Sequence, residues 1–240
     1  MTLGQIYLIR HGQAGARDNY DVLSDVGREQ ARLLGEHLAS QGVKISAAYA
    51  GGMNRQRLTA ELVCAGLMGN GNSVPDLFSD ERWNEFSLAD VYKGIAGRMR
   101  EESEEFARDV EEMQEILRRD PHSTGGAAGR CDAAVVRAWF ENRYPDYKGE
   151  SWVSFRSRIQ ARASALAVEE DCGSVAVFTS ATPIAISVAA ALDLSDERLL
   201  GILGALYNAS VTVMRPWRGE LRLFTFNSVS HLPADLCTFR

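Results

Sequence analysis

Near the start of the chain, Gln5-Ile6-Tyr7-Leu8-Ile9 is a run of strand formers. It is long enough for one buried strand and too short for a membrane span. It then breaks on Arg10-His11-Gly12-Gln13. In an open α/β sheet, ligands collect in the crevice beyond the carboxyl ends of the strands. A strand that ends on a cation, an imidazole and a glycine there suggests a nucleophile beside an anion clamp. Arginine is the preferred bidentate partner for phosphate, glycine lets backbone approach a ligand, and histidine can form a covalent intermediate.

A second stretch extends the pattern: Leu23-Ser24-Asp25-Val26-Gly27-Arg28-Glu29-Gln30-Ala31. Ser24 is placed to cap a helix running to about Ser40, with Asp25 suited to its positive end. Strand, Arg-His-Gly, then this helix start resembles the histidine phosphatase superfamily, the phosphoglycerate mutase-like proteins. The resemblance implies an α/β fold: a three-layer α/β/α sandwich with a mainly parallel central sheet and a helical cap insertion. We expect one domain over 1–240, with the insertion at about 87–150.

The chain of 240 residues is 45% apolar, ordinary for a globular protein. Its 26 basic and 32 acidic residues give a formal charge of -6, which argues against a nucleic-acid partner. Cys64, Cys131, Cys172 and Cys237 are far apart and form no metal-like pair. No signal-peptide pattern or membrane-length apolar run is seen, so the expectation is a cytoplasmic, reducing setting without membrane attachment.

Ile45–Ala50 reads as a second strand, followed by Gly51-Gly52-Met53-Asn54-Arg55-Gln56-Arg57-Leu58-Thr59-Ala60 at the start of a helix ending near Leu67. The superfamily has Ser-Pro-Leu-x-Arg-Ala-x-x-Thr-Ala here, so the resemblance makes Arg55 the second phosphate-binding arginine. Arg57 should face away. Gly66–Ser73 reads as a turn and Pro75–Phe78 as a third strand. In Trp83-Asn84-Glu85, similar to a Leu-Asn-Glu element, the resemblance makes Glu85 the proton donor, with Glu81 as its rival.

Glu101–Arg119 is a charged helix with an apolar stripe, Pro121–Gly129 a loop that includes His122, and Val135–Tyr144 a second helix. We read the region as a cap over the mouth of the site. Gly149-Glu150-Ser151 resembles the superfamily element before the helix that returns to the core, and Ser174–Thr179 is a buried strand. Beyond it the superfamily reads Ser-His-Gly, whereas this chain has Thr179-Ser180-Ala181-Thr182-Pro183-Ile184. Ser180 thus stands where a second histidine helps hold the phosphoryl group. A hairpin follows from Ala209–Arg215 and Glu220–Phe226. His37 and His231 are read as packing or peripheral residues.

The resemblance implies a metal-independent phosphomonoesterase. His11 would attack phosphorus and Glu85 would protonate the leaving oxygen. Arg10, Arg55, Ser180, Gly12 and Gln13 would hold the phosphate. No cofactor is called for. The substrate would be a phosphorylated small molecule or phosphoprotein, and a homodimer is left open. A mutase and a catalytically weak phospho-ligand binder are the alternatives.

Overall fold

A computed structural model describes residues 4–68, 76–120, 123, 125–168 and 173–239. Its contacts divide the chain into two compact units: residues 1–15, 20–85 and 158–240, and residues 16–19 and 86–157.

The first unit is built on a six-stranded sheet. β1 (Ile6–Arg10), β2 (Ala47–Ala50), β3 (Leu77–Ser79), β4 (Val175–Thr179), β5 (Val211–Trp217) and β6 (Glu220–Ser228) lie in the order β3-β2-β4-β1-β5-β6. β1, β2, β3 and β4 pair in parallel, while β5 is antiparallel to both β1 and β6. All five residues of β1 and of β4 are buried. That explains why both read as continuous apolar runs rather than alternating ones.

The sheet has helices on both faces, giving the three-layer α/β arrangement. On one face Tyr7, Ile9, Ala50, Phe178 and Val213 pack with Leu34 and Leu38 of α1 (Asp25–Ser40) and Val63 and Leu67 of α2 (Asn54–Met68). Alanines at Ala31, Ala48, Ala60 and Ala176 let these layers come close. On the other face α7 (Ala181–Ala191) packs on β1 and β6. There too Arg162 of α6 (Trp152–Val168) lies 4.9 Å from the ring centroid of Tyr49 and pairs with buried Asp80 at 2.7 Å. α8 (Asp196–Leu203) follows α7.

Two glycines fix how β1 hands over to α1. A Cβ on Gly12 would lie 2.9 Å from the Gly27 carbonyl carbon, and closer to its oxygen. A Cβ on Gly27 would lie 2.7 Å from Gln13 N, and closer still to its carbonyl oxygen. Only two residues without side chains allow this backbone contact.

The second unit is helical: α3 (Leu88–Glu102), α4 (Glu104–Arg119), α5 (Gly126–Phe140) and the first turns of α6. Phe86 stacks on Trp139 at 4.6 Å, and Trp139 in turn meets Trp152 and Phe155 at 5.6 and 5.9 Å. Arg17 reaches Asp132 with Nη2 and Nη1 at 2.5 and 2.8 Å, and the Tyr92 hydroxyl donates to the same carboxylate at 2.7 Å.

Several boundaries differ from expectation here. The loop expected over Pro121–Gly129 is helical from Gly126, because Ala127 and Ala128 are wholly buried. Burial there overrides the low helix propensity of the flanking glycines. α5 stops at Phe140 instead of Tyr144. Asn142 takes a left-handed φ of 50°, Arg143 N–H closes back on the Ala138 carbonyl at 2.9 Å, and Pro145 follows. α3 was not expected, since Gly94 and Gly97 dilute its stripe of Val91, Ile95 and Met99. α2 continues through Gly66 to Met68, where close packing of Gly66 on Gly35 requires the missing side chains. His122, Cys172 and most of the turn expected after Gly66 lie outside the described residues.

Candidate active site

The carboxyl ends of β1 and β4 are neighbours: Arg10 pairs in register with Thr179, and the His11 N–H donates to the Thr179 carbonyl at 2.9 Å. His11 and Ser180 therefore leave the sheet side by side. The start of α2 brings Arg55 to the same place.

His11 is 2% exposed. Its Nδ1 lies 2.7 Å from the Gly12 carbonyl, and its Nε2 lies 3.2 Å from Arg55 Nε. The carbonyl can only accept and the guanidinium can only donate. The imidazole is therefore neutral, with its proton on Nδ1 and the lone pair of Nε2 turned to the arginine. Burial, then the charges of Arg55 and Arg10, hold the His11 pKa well below its ordinary value, against a smaller opposing effect of the Gly12 bond.

Arg55 is itself held on three sides. Its Nη1 pairs with Asp21 at 2.9 Å, and its guanidinium lies 4.8 Å from the Tyr20 ring centroid. Asp21 also accepts from the Asn54 N–H at 3.1 Å, so one carboxylate caps α2 and orients its arginine. Thr59, one turn on, accepts from the Gly12 N–H at 3.1 Å while donating to the Arg55 carbonyl at 2.7 Å. Arg10, 3% exposed, donates from Nη1 to the Leu206 carbonyl and interacts with Tyr20 and Glu85.

Gln13 lies on the α1 side. Its carbonyl accepts from Ser24 N–H at 3.0 Å, its N–H donates to Gln30 Oε1 at 2.8 Å, and its Oε1 accepts from Ser24 Oγ at 2.8 Å. Ser24 Oγ also accepts from the Gly27 N–H at 3.0 Å as the cap of α1. Gln13 is thus engaged in joining the loop to the helix.

Glu85 is half-buried, and its Oε2 accepts from the Thr182 N–H at 3.1 Å, on the first turn of α7. Ser180, the residue before α7, is 1% exposed and its Oγ accepts from Gln56 Nε2 at 2.9 Å. Glu81 is exposed in a short 3₁₀ turn. Of the two carboxylates weighed from sequence, Glu85 is the one brought against the first turn of α7, at Thr182. Arg57 is exposed, and His37 and His231 pair with each other, ring centroids 5.9 Å apart.

The structure thus assembles Arg10, His11, Arg55, Ser180 and Glu85 at one end of the sheet. It adds Tyr20, Asp21, Gln56 and Thr59, which sequence reasoning did not single out. Two of them carried a signal: Thr59 matches the threonine of the superfamily element, and Gln56 is a large amide where that element has alanine. Among the described residues, no group of three or more His, Cys, Asp or Glu is placed to hold a metal ion. Nor is any helix long and apolar enough to cross a membrane.

The family described as the histidine phosphatase superfamily (branch 1) matches residues 6–138 and 127–229. The chain is 38% identical over 65 residues to the serine/threonine-protein phosphatase Pgam5, mitochondrial, of Caenorhabditis briggsae, and spans only 23% of that relative's length. Among solved structures, it is similar to YhfR of Bacillus stearothermophilus, with a TM-score of 0.64 at 20% identity over 95% of this chain and 98% of that one. It is also similar to a phosphoserine phosphatase variant of Entamoeba histolytica bound to phosphoserine, with a TM-score of 0.62 at 15% identity over 96% and 100% of the two chains.

Proposed function

This chain belongs to the histidine phosphatase superfamily, branch 1, and from that premise we propose that it hydrolyses phosphomonoesters through a phosphohistidine on His11. One observation carries the reading: His11 is a buried, neutral imidazole whose Nε2 lone pair faces a guanidinium. A phosphoryl oxygen would take the place of Nε2 as the acceptor for Arg55, leaving the lone pair to attack phosphorus. The P–N bond forms as the P–O ester bond breaks, and Glu85 gives its proton to the leaving oxygen. Water then attacks phosphorus and loses a proton to Glu85, and the P–N bond breaks to return neutral His11. Arg10 and Arg55 supply the positive charge that spreading negative charge requires, so no metal is assigned a role.

Ser180 provides a neutral donor where a charged one is expected, which points to a slower enzyme. Hydrogen bonds to charged groups contribute about 1.5–3 kcal/mol, against about 0.5–1.5 for neutral ones. For substrate we place phosphoserine and phosphothreonine proteins first, following the printed name of the Pgam5 relative, and small phosphomonoesters second. A reducing, cytoplasmic compartment suits the thiols of Cys64, Cys131 and Cys237.

The test is hydrolysis of p-nitrophenyl phosphate between pH 5 and 8, with acid-quench trapping of phosphohistidine, in wild type and His11→Ala. Turnover and trapping lost together in His11→Ala are expected. Equal background rates and no trapped phosphate in either protein would overturn the phosphatase reading and leave a phospho-ligand binder. Trapping with transfer but no phosphate release would instead indicate a mutase.

A further inference from the structure

Two buried polar side chains at the end of the sheet depart from the superfamily pattern: Gln56 in place of alanine and Ser180 in place of histidine. They touch each other. Gln56 Nε2 lies 2.9 Å from Ser180 Oγ and 3.3 Å from the Trp83 carbonyl, and Gln56 Oε1 lies 3.4 Å from the Met53 N–H. The carbonyl can only accept and the N–H can only donate, which fixes which way round the amide sits. Its NH₂ faces Ser180, so Ser180 Oγ must accept.

A serine before a helix ordinarily gives its oxygen to the N–H groups of the first turn. Ser180 makes no such bond, and Glu85 Oε2 takes the Thr182 N–H instead. Ser180 is thus left with one proton to donate, on a residue whose backbone leaves the sheet next to that of His11. A third departure makes room for this arrangement. A Cβ at Gly51, where the pattern has serine, would lie 2.8 Å from Gln56 Cδ and 2.9 Å from Asn84 Oδ1.

We propose that Gln56 is a positioning residue that locks Ser180 as a one-way, uncharged hydrogen-bond donor to the phosphoryl group. Gly51, Gln56 and Ser180 together take the place of the second histidine. This rests on the phosphatase reading above. The donor carries no ionisable proton, so its contribution is independent of pH.

The decisive variant is Gln56→Glu, which keeps the volume. Its protonated carboxyl can still donate to Ser180, whereas its carboxylate accepts the serine proton and turns the hydroxyl away from the phosphate. We expect p-nitrophenyl phosphate kcat close to wild type at low pH, falling by about 10²-fold as the new carboxyl ionises. Ser180→Ala should lose a similar factor at every pH. Adding Gln56→Ala to Ser180→Ala should then cost nothing further. Urea melts of each variant separate misfolding from lost positioning.

Inorganic phosphate affinity, measured by calorimetry in parallel, gives a readout independent of turnover. A wild type that binds phosphate without hydrolysis removes the phosphatase reading while the proposal is still read from affinity. A Gln56→Glu profile parallel to wild type at all pH values, in both hydrolysis and phosphate affinity, overturns the proposal. So does simple multiplication of the two alanine effects.

Discussion

His11 ties the stability of the fold to pH, and the direction follows from its burial. An unfolded histidine takes up a proton near pH 6.5, whereas folded His11 resists protonation until well below that value. Between the two values the unfolded chain binds more protons, so stability falls as the pH is lowered. The loss through His11 is about 1 kcal/mol between pH 6.5 and 5.5, where the unfolded histidine is only partly charged at the upper end. Each further pH unit costs about 1.4 kcal/mol until the folded group titrates. His231 acts in the same direction, since burial and then His37 push its pKa down to about 4. The two together set a slope of up to about 2.7 kcal/mol per pH unit. Urea unfolding of wild type, His11→Gln and His231→Gln at pH 7.0, 6.0 and 5.5 measures it, above the range in which most carboxylates titrate. His11→Gln should lower the slope by about half. An unchanged slope in His11→Gln would refute the claim that His11 is held neutral, and with it the assignment of a free Nε2 lone pair.

Three further outcomes are expected. Arg55→Met removes the guanidinium between His11, Asp21 and Tyr20; kcat/KM for p-nitrophenyl phosphate should fall about 10²–10³-fold, and NMR titration should show His11 protonating at a higher pH. Gly27→Ala should destabilise the protein in a thermal melt, because overpacking against Gln13 costs about 1–3 kcal/mol and alanine's helix propensity returns only about 1. Asp80→Asn removes the carboxylate under buried Arg162; burial works against that carboxylate, but Arg82 and Arg162 hold its carboxyl below the ordinary value. A loss of about 3 kcal/mol in urea unfolding at pH 7 is expected.

What could be read in advance was local in sequence. β1 and β4 announce themselves because burial on both faces leaves unbroken apolar runs, and Ser24 and Asp25 mark the start of α1 through capping and dipole chemistry. Arg10 and His11 are adjacent, so one motif delivers both. The groups that hold them are brought in by tertiary structure. Asp21 serves Arg55 across 34 residues and Gln56 serves Ser180 across 124, and neither partner is implied by local spacing. Within the helical unit the sequence reads Pro121–Gly129 as a loop through Gly125, Gly126 and Gly129, whereas burial of Ala127 and Ala128 decides for helix from Gly126. Ser180 and Gln56 each depart from the pattern in sequence, but only the fold shows that they are partners.

β1 stands near the beginning of the chain, yet its two neighbours in the sheet are residues 175–179 and 211–214. Closing loops of that length before any strand pairing rewards them makes this step slow. On the ribosome the strand that carries His11 must wait for more than two hundred residues to be added before both its edges are covered. The strand end that carries His11 is consequently among the last parts of the sheet to be completed. A nascent chain that stops before β5 carries the whole Arg-His-Gly motif and the parallel partner of β1, but leaves the other edge of that strand bare however well its helices have formed.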